Sequence, residues 1–330
     1  MKAIKNILIL TALTSMGLSG CAKDGQNDKD CEGYGCKIFT SLKIACPSGA
    51  PSVCLYKYVS NEDQVEVRSP EEASGLAAYM ATNQKDVIIL PTNAGVQQIV
   101  KNNANYKIAA NITFGNLFIA ATGNDDDNVM NDDDYVVLIQ KDNVPDKLFQ
   151  YVYGHLNLTN VHYLNLASSV KNVAVSGTNS EDEDAVVDYV LIPEPAFTAA
   201  KSQNPNISQY ASLQEEYKNK SENKEITQAS VFVSNTADQK QVENFLEQLE
   251  KDINEFVANP DTIDEYVKDF DNVQFAGKFG VGNATMLKNL TKNGNRMGVG
   301  FKRAKTNKAN VDQFLTMWPA IGVTSEEIYY

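Results

Sequence analysis

The sequence predicts an α/β protein of two lobes joined by a hinge around an interlobe cleft, and three observations carry that prediction. The first is the run Asp86-Val87-Ile88-Ile89-Leu90-Pro91-Thr92-Asn93-Ala94-Gly95, four apolar residues between an aspartate and a proline turn. It opens an amphipathic stretch with Val96, Ile99 and Val100. The second is a copy of the pattern about a hundred residues on, Asp188-Tyr189-Val190-Leu191-Ile192-Pro193-Glu194-Pro195-Ala196-Phe197. A short apolar run bounded by turn residues reads as a strand buried on both faces, as in a parallel sheet. Proline has no N–H for the ladder, so it ends these strands at Leu90 and Ile192. The third is that the first lobe draws residues from both ends of the chain, so two segments must cross between lobes, and two crossings make a hinge. In open α/β sheets ligands meet the carboxyl ends of the strands. Two such edges face to face make a cleft.

A chain of 330 residues with 43% apolar content is long enough for two domains. Its formal net charge of -13 and pI near 4.7 argue against nucleic acid or an anionic membrane surface as partner. Lys2 and Lys5 precede an apolar core over 7–13, followed by Leu18-Ser19-Gly20-Cys21. A basic start, a short apolar core and small residues describe an export signal over 1–20, too short for a spanning helix of roughly 20 apolar residues. The last four of those residues resemble a bacterial lipobox, which implies lipidation of Cys21. A plain secretory signal with a coincidental cysteine is the competing reading. Residues 21–36 are a polar tether. No other stretch is apolar enough to span a bilayer.

Four further cysteines, Cys31, Cys36, Cys46 and Cys54, make an even set. Outside the cytoplasm that predicts disulfides in one of three connectivities, against the alternative of four thiols. A Cys46–Cys54 bridge would pin the loop between them. Zinc is disfavoured, because no spacing is C-x-x-C and the chain has only His155 and His162. Cofactors are expected to be none.

The first lobe, 37–118 with 234–330, opens with a strand over 42–45, a loop at Pro47-Ser48-Gly49-Ala50-Pro51-Ser52 and a helix carrying Val53, Leu55, Tyr56 and Val59. Pro51 suits a first helical turn, where no N–H is needed. Residues 65–68 alternate as a strand, 70–81 are helical in composition, and 106–110 form a further strand. Residues 113–120 carry the chain into the second lobe, 119–233. The tract 124–134 holds six aspartates but lacks the register of a calcium loop, with its central Gly and closing Glu. It reads as a solvated turn. The second lobe repeats the plan, with a strand over 135–139, a loop over 140–146, a helix over 148–153, a strand over 161–166 and a helix over 168–175. An acidic surface loop at 180–184 precedes the Asp188 strand. Residues 201–227 read as irregular, and 229–233 as the strand returning to the first lobe. Thr236 and Gln239 resemble a capping box, after which Val242, Phe245, Leu246, Leu249, Ile253, Phe256 and Val257 follow the helical period. Asn259-Pro260 starts another helix. Residues 297–301 are extended, and 311–318 are helical.

This order of lipobox, strand-loop-helix, Asp-strand-Pro, crossing, mirrored lobe, return strand and helical tail resembles a type II periplasmic solute-binding protein. The likeness is greatest to the branch holding nitrate, alkanesulfonate and thiamine-precursor binding subunits of ABC transporters. It covers residue 37 onward and lies in element order and in Asp86…Pro91 and Asp188…Pro193-Glu194-Pro195. The loop at 180–184 and the cysteines depart from the usual pattern. The resemblance implies an extracytoplasmic, membrane-anchored monomer that delivers a small organic solute to the permease subunits. It also implies that the solute meets the loops after the strands, where helix amino termini offer free N–H groups. Those are Ser48, Gly49 and Ala50, then Thr92, Asn93 and Ala94, then Gln140, Lys141 and Asn143, with Glu194.

Lys141 suits an anionic group, whereas Glu194 would repel an oxyanion and suit an amine or ring N–H. The pair favours an organic zwitterion or heteroaromatic over nitrate, unless both side chains face solvent. Phe114 and Tyr56 are stacking candidates if they are not core. Arg296 is either an anion clamp or a surface residue of a Lys-rich tail. An enzyme on the same scaffold, acting on a pyrimidine or menaquinone precursor, is the competing class. It lacks an acid–base or nucleophilic constellation, since neither histidine falls in a cleft loop.

Overall fold

The computed structural model describes residues 41–69, 72–124, 129–182, 185–322 and 324–330. The export signal, Cys21, the tether, Cys31 and Cys36 lie outside them. In chain order the strands are β1 (Ile44–Pro47), β2 (Val65–Arg68), β3 (Val87–Pro91), β4 (Tyr106–Thr113), β5 (Leu117–Ala121), β6 (Tyr135–Ile139), β7 (Asn160–Leu164), β8 (Thr178–Asn179), β9 (Ala185–Val186), β10 (Tyr189–Pro193), β11 (Ser208–Ser212), β12 (Ala229–Ser234) and β13 (Val299–Arg303). The α-helices are α1 (Ala50–Val53), α2 (Leu76–Thr82), α3 (Thr92–Asn102), α4 (Val144–Tyr153), α5 (Ala167–Ser176), α6 (Ala196–Gln203), α7 (Leu213–Lys220), α8 (Gln239–Ala258), α9 (Asp264–Val267), α10 (Asn272–Phe279), α11 (Ala284–Lys292) and α12 (Lys308–Leu315).

Two mixed sheets carry the fold, ordered β2-β1-β3-β12-β4-β13 and β7-β6-β10-β5-β11, with a separate small hairpin of β8 and β9. Each sheet runs second strand, first, third, crossing strand, fourth; the larger adds β13 at its edge. In both, the first three strands are parallel and the crossing strand, β12 or β5, runs antiparallel to its neighbours. A parallel strand buried on both faces reads as an unbroken apolar run, and Val87, Ile88, Ile89, Tyr189, Val190, Leu191 and Ile192 are all fully buried.

The aspartate that opens each run has a backbone task. Asp86 Oδ2 accepts from Lys43 N at 2.8 Å while Asp86 N donates to the Lys43 carbonyl. Asp188 Oδ2 accepts from Tyr135 N at 2.9 Å while Asp188 N donates to the Tyr135 carbonyl. Each aspartate thus fastens the third strand of its sheet to the start of the first, which sets register where side-chain alternation cannot.

The prolines mark the meeting point of the sheets. Pro91 pairs with Ala229, the first residue of β12, and Pro193 with Leu117, the first residue of β5. Residues 114–116 and 225–228 are the two crossings. Gly95 lets α3 lie against the sheet, since a Cβ there would come within 2.1 Å of the Phe232 ring.

Several boundaries differ from the sequence reading. Residues 201–227 are ordered, holding the end of α6, β11 and α7. In β11 only Ala211 is buried, and α7 buries only Leu213 and Tyr217. Edge elements with so little apolar surface give a weak periodic signal. The helix expected to continue through Val59 stops at Val53 and becomes turns, whose Leu55, Tyr56 and Val59 are nonetheless core. The cap of α8 is Asp238, whose side chain accepts from Lys240 N and Gln241 N, rather than Thr236. The segment around 272–292 forms α10, opened by an Asp271–Gln274 capping box, and α11, capped by Asn283.

Candidate functional site

The strand ends of both sheets converge on the crossings through backbone and amide hydrogen bonds. Thr92 N donates to the Gln228 carbonyl at 3.0 Å, and Gln228 N donates to the Thr113 carbonyl at 2.9 Å. Gln228 Nε2 donates to Asn116 Oδ1 at 3.2 Å. The Asn116 carbonyl accepts from Glu194 N at 2.8 Å, and its Nδ2 donates back to the Glu194 carbonyl at 3.1 Å. The loop after β3 and the loop after β10 are therefore joined through two crossing residues.

Not every residue expected to face a solute is free to do so. Thr92 is fully buried, and its Oγ1 shares a 2.6 Å hydrogen bond with Ser230 Oγ. That bond belongs to a buried chain in which Asn111 donates to Ser230, Asn307 to Asn111 and Asn310 to Asn307. Thr92 is structural, because its hydroxyl is hydrogen-bonded to Ser230 where water does not reach. Asn93 is half-buried with Oδ1 unpaired, and Ala94 is half-buried beside it. In the first loop Gly49 has φ 103°, a conformation glycine adopts readily. Ser52 Oγ lies within hydrogen-bond distance of the Lys278 carbonyl at 2.6 Å and the Gly49 carbonyl at 2.8 Å, which share its one O–H and tie the loop to the end of α10. Ser48 and Gly49 are half-buried and Ala50 is buried. Gln140, Lys141 and Asn143 are exposed, with Lys141 Nζ 5.4 Å from the centre of the Tyr163 ring. Asn143 begins α4 without a side-chain cap, so its amide is uncommitted. Tyr56 is core, against Phe256 and Tyr266.

Glu194 departs most from expectation. Its side chain is 0% exposed, so it offers no open carboxylate to a solute. It accepts from Thr198 N and Thr198 Oγ1, both at 3.0 Å, which closes the start of α6. Arg296 Nε donates to it at 2.6 Å, and Arg296 Nη1 donates to Gln209 Oε1 at 2.8 Å. The guanidinium lies 4.0 Å from the centre of the Phe118 ring and 5.0 Å from that of Phe197. Arg296 precedes β13 of the larger sheet, while all these partners belong to the smaller one. It is neither an open anion clamp nor a loose surface residue. It is a clasp between the two sheets, which sequence alone could not show because its partners lie about 80 to 180 positions away.

The Cys46–Cys54 bridge is absent. Both thiols are free and buried, and Cys54 Sγ points to the Ala50 and Ile112 carbonyls. Burial pushes the Cys46 thiol up to about 12 from an ordinary 9.0 and raises that of Cys54 as well, so neither is a thiolate nucleophile. Among the described residues no group of three or more His, Cys, Asp or Glu is placed to hold a metal.

No protein-family model and no curated protein matches the chain. Solved structures do. An ABC transporter protein from Parabacteroides distasonis superposes with a TM-score of 0.64 at 17% identity, covering 86% of this chain and 95% of its own. The periplasmic aliphatic sulphonate binding protein of Escherichia coli gives 0.60 at 11% identity, over 87% and 91%. A ligand-binding component of an ABC-type import system from Staphylococcus aureus gives 0.58 at 9% identity, over 87% and 95%. The fold is that of the periplasmic binding proteins. A Candida albicans protein described as defining a new family shares it at a TM-score of 0.53, so the fold is not confined to one family.

Proposed function

We propose that the protein is the extracytoplasmic solute-binding component of an ABC importer, held to the membrane by a lipid on Cys21. The observation that carries this reading is the paired geometry at Pro91 and Pro193, which brings the strand ends of both sheets to the same two crossings. The larger sheet with its helices acts as one lobe and the smaller as the other, with 114–116 and 225–228 as the hinge. Ser48, Gly49, Asn93 and Ala94 reach a small organic solute from one side. Gln140, Lys141 and Asn143 reach it from the other. Solute touching both lobes favours the closed form by its differential affinity, and the permease subunits read that closure.

With Glu194 paired to Arg296 and Asp142 to Lys147, the loop charge left without an ion-pair partner in the smaller lobe is that of Lys141. This favours an organic solute carrying an acidic group, of which a sulfonate is one example. A thermal-shift screen over sulfonates, pyrimidines, amino acids and polyamines identifies the class. X-ray scattering with the hit then reports closure as a fall in radius of gyration. Unchanged scattering at saturation sinks the mechanism, and turnover of the hit in place of retention moves the protein to the enzymes.

A further inference from the structure

We propose that the groove between α6 and α11 is a second small-molecule site, which takes an uncharged polyol of the sugar or cyclitol class. None of the loop residues assigned to the solute lines this groove, and only its effect on closure rests on the two-lobe reading. The two helices belong to different cores. Phe197 and Ala200 of α6 are buried with Val190 and Leu191, whereas Leu287 and Leu290 of α11 are buried with Ile89 and Val231. The outward faces of the helices border a space of about 360 Å³, within the usual range for a small-molecule site.

Helical spacing sorts the surface of α11. Lys288 and Lys292 are drawn to one side, where they meet Asp264 at 2.7 Å and Asp261 at 2.8 Å. Thr285, Asn289 and Asn293 recur every four residues and line the groove, opposite Thr198 and Ser202 of α6. Met286 and Leu290 supply an apolar strip between them. Thr285, Asn289 and Asn293 are exposed, and none of their side chains is hydrogen-bonded to another described residue. Asparagine is a weak helix former because its amide competes with the backbone. Asn289 nonetheless lies inside α11 with no cap to make, which leaves its amide for something outside the chain.

Charge selects the occupant. Among the described residues of the lining Arg296 alone is charged, and it already holds Glu194 at 2.6 Å. A cation meets no carboxylate there, and an anion meets a guanidinium whose charge is matched. Amides and hydroxyls both donate and accept, which suits a row of hydroxyl groups. The C–H face of the same molecule fits the Met286 and Leu290 strip. An occupant touches one helix from each lobe, so it bears on how far the lobes part.

The test is calorimetric titration of the full chain with glucose, sucrose and myo-inositol as neutral polyols, and with gluconate and glucosamine as charged counterparts. A neutral polyol is expected to bind at millimolar concentration or below, and the charged pair more weakly. Asn289→Leu is expected to weaken binding about tenfold, the worth of one or two hydrogen bonds. Ser202→Arg, which fills the groove from the α6 side, is expected to abolish it. Asn289→Asp is expected to shift preference severalfold towards glucosamine. Both positions are exposed, so thermal melts should stay close to that of the unaltered protein. The proposal is overturned if no neutral polyol binds, if a charged counterpart binds the unaltered protein more tightly than every neutral one, or if Asn289→Leu and Ser202→Arg bind as before. Polyol binding lost in Lys141→Ala but kept in Ser202→Arg also overturns it, while leaving the solute-binding reading intact. Binding that needs Asn289 and Ser202 in a protein whose scattering never changes supports the site and sinks the closure mechanism alone.

Discussion

The two sheets share one strand order and one reversed crossing strand, yet they finish their strand ends in opposite ways. In the larger sheet the ends are committed inward. Thr92 feeds a buried chain through Ser230, Asn111, Asn307 and Asn310, and the Gly49 loop is tied to α10 by Ser52. In the smaller sheet the loop after β6 stays open, with Gln140, Lys141 and Asn143 exposed. Only the loop after β10 is committed, through Glu194 and Arg296. Topology is thus duplicated while surface chemistry is not. One sheet offers a firm wall and the other exposed amides.

Four substitutions break or sharpen that contrast. Glu194→Ala strands the Arg296 charge and uncaps α6, and is expected to lower stability by about 3 kcal/mol, the low end for a broken buried pair because Arg296 is partly exposed. Urea unfolding measures it, and a loss under 1 kcal/mol would show that the clasp does not hold the sheets together. Gly298→Ala places a Cβ on the Gly115 carbonyl at φ 64° and is expected to remove about 2–3 kcal/mol. A thermal melt no lower than that of the unaltered protein would count against so close an approach at the hinge. Thr92→Val leaves Ser230 with one partner fewer and is expected to lose about 1–2 kcal/mol while solute affinity holds. A large affinity loss with stability kept would return Thr92 to the solute site. Asn143→Ala should lie within about 0.5 kcal/mol of the unaltered protein yet weaken solute binding, since its amide is exposed and unpaired. Equal affinity would remove it from the site.

The buried thiols give a pH test confined to the larger sheet. The Cys46 pKa is raised in the folded state to about 12, so its share of stability is complete below 9.0 and is lost as pH rises towards 12. Denaturant midpoints should fall over that window and change less in Cys46→Ala. An equal fall in both would assign the alkaline loss elsewhere.

By itself the sequence determined the duplicated plan. Apolar runs closed by Pro91 and Pro193 are local features, and a strand buried on both faces must be written that way wherever it sits. It also determined the long helix over Val242 to Phe256, whose period is its own. What only the tertiary structure decided are partnerships across great sequence distances. Glu194 reads as a cleft carboxylate until Arg296 arrives from 102 positions on, and Thr92 as a solute contact until Ser230 takes its hydroxyl. The edge strand β11 and helix α7, with little apolar surface of their own, were invisible until the neighbouring strand β5 gave them a place to pair. A polar side chain announces its chemistry in sequence, but folding chooses which donor or acceptor uses it, because in a buried setting the nearest partner displaces water first.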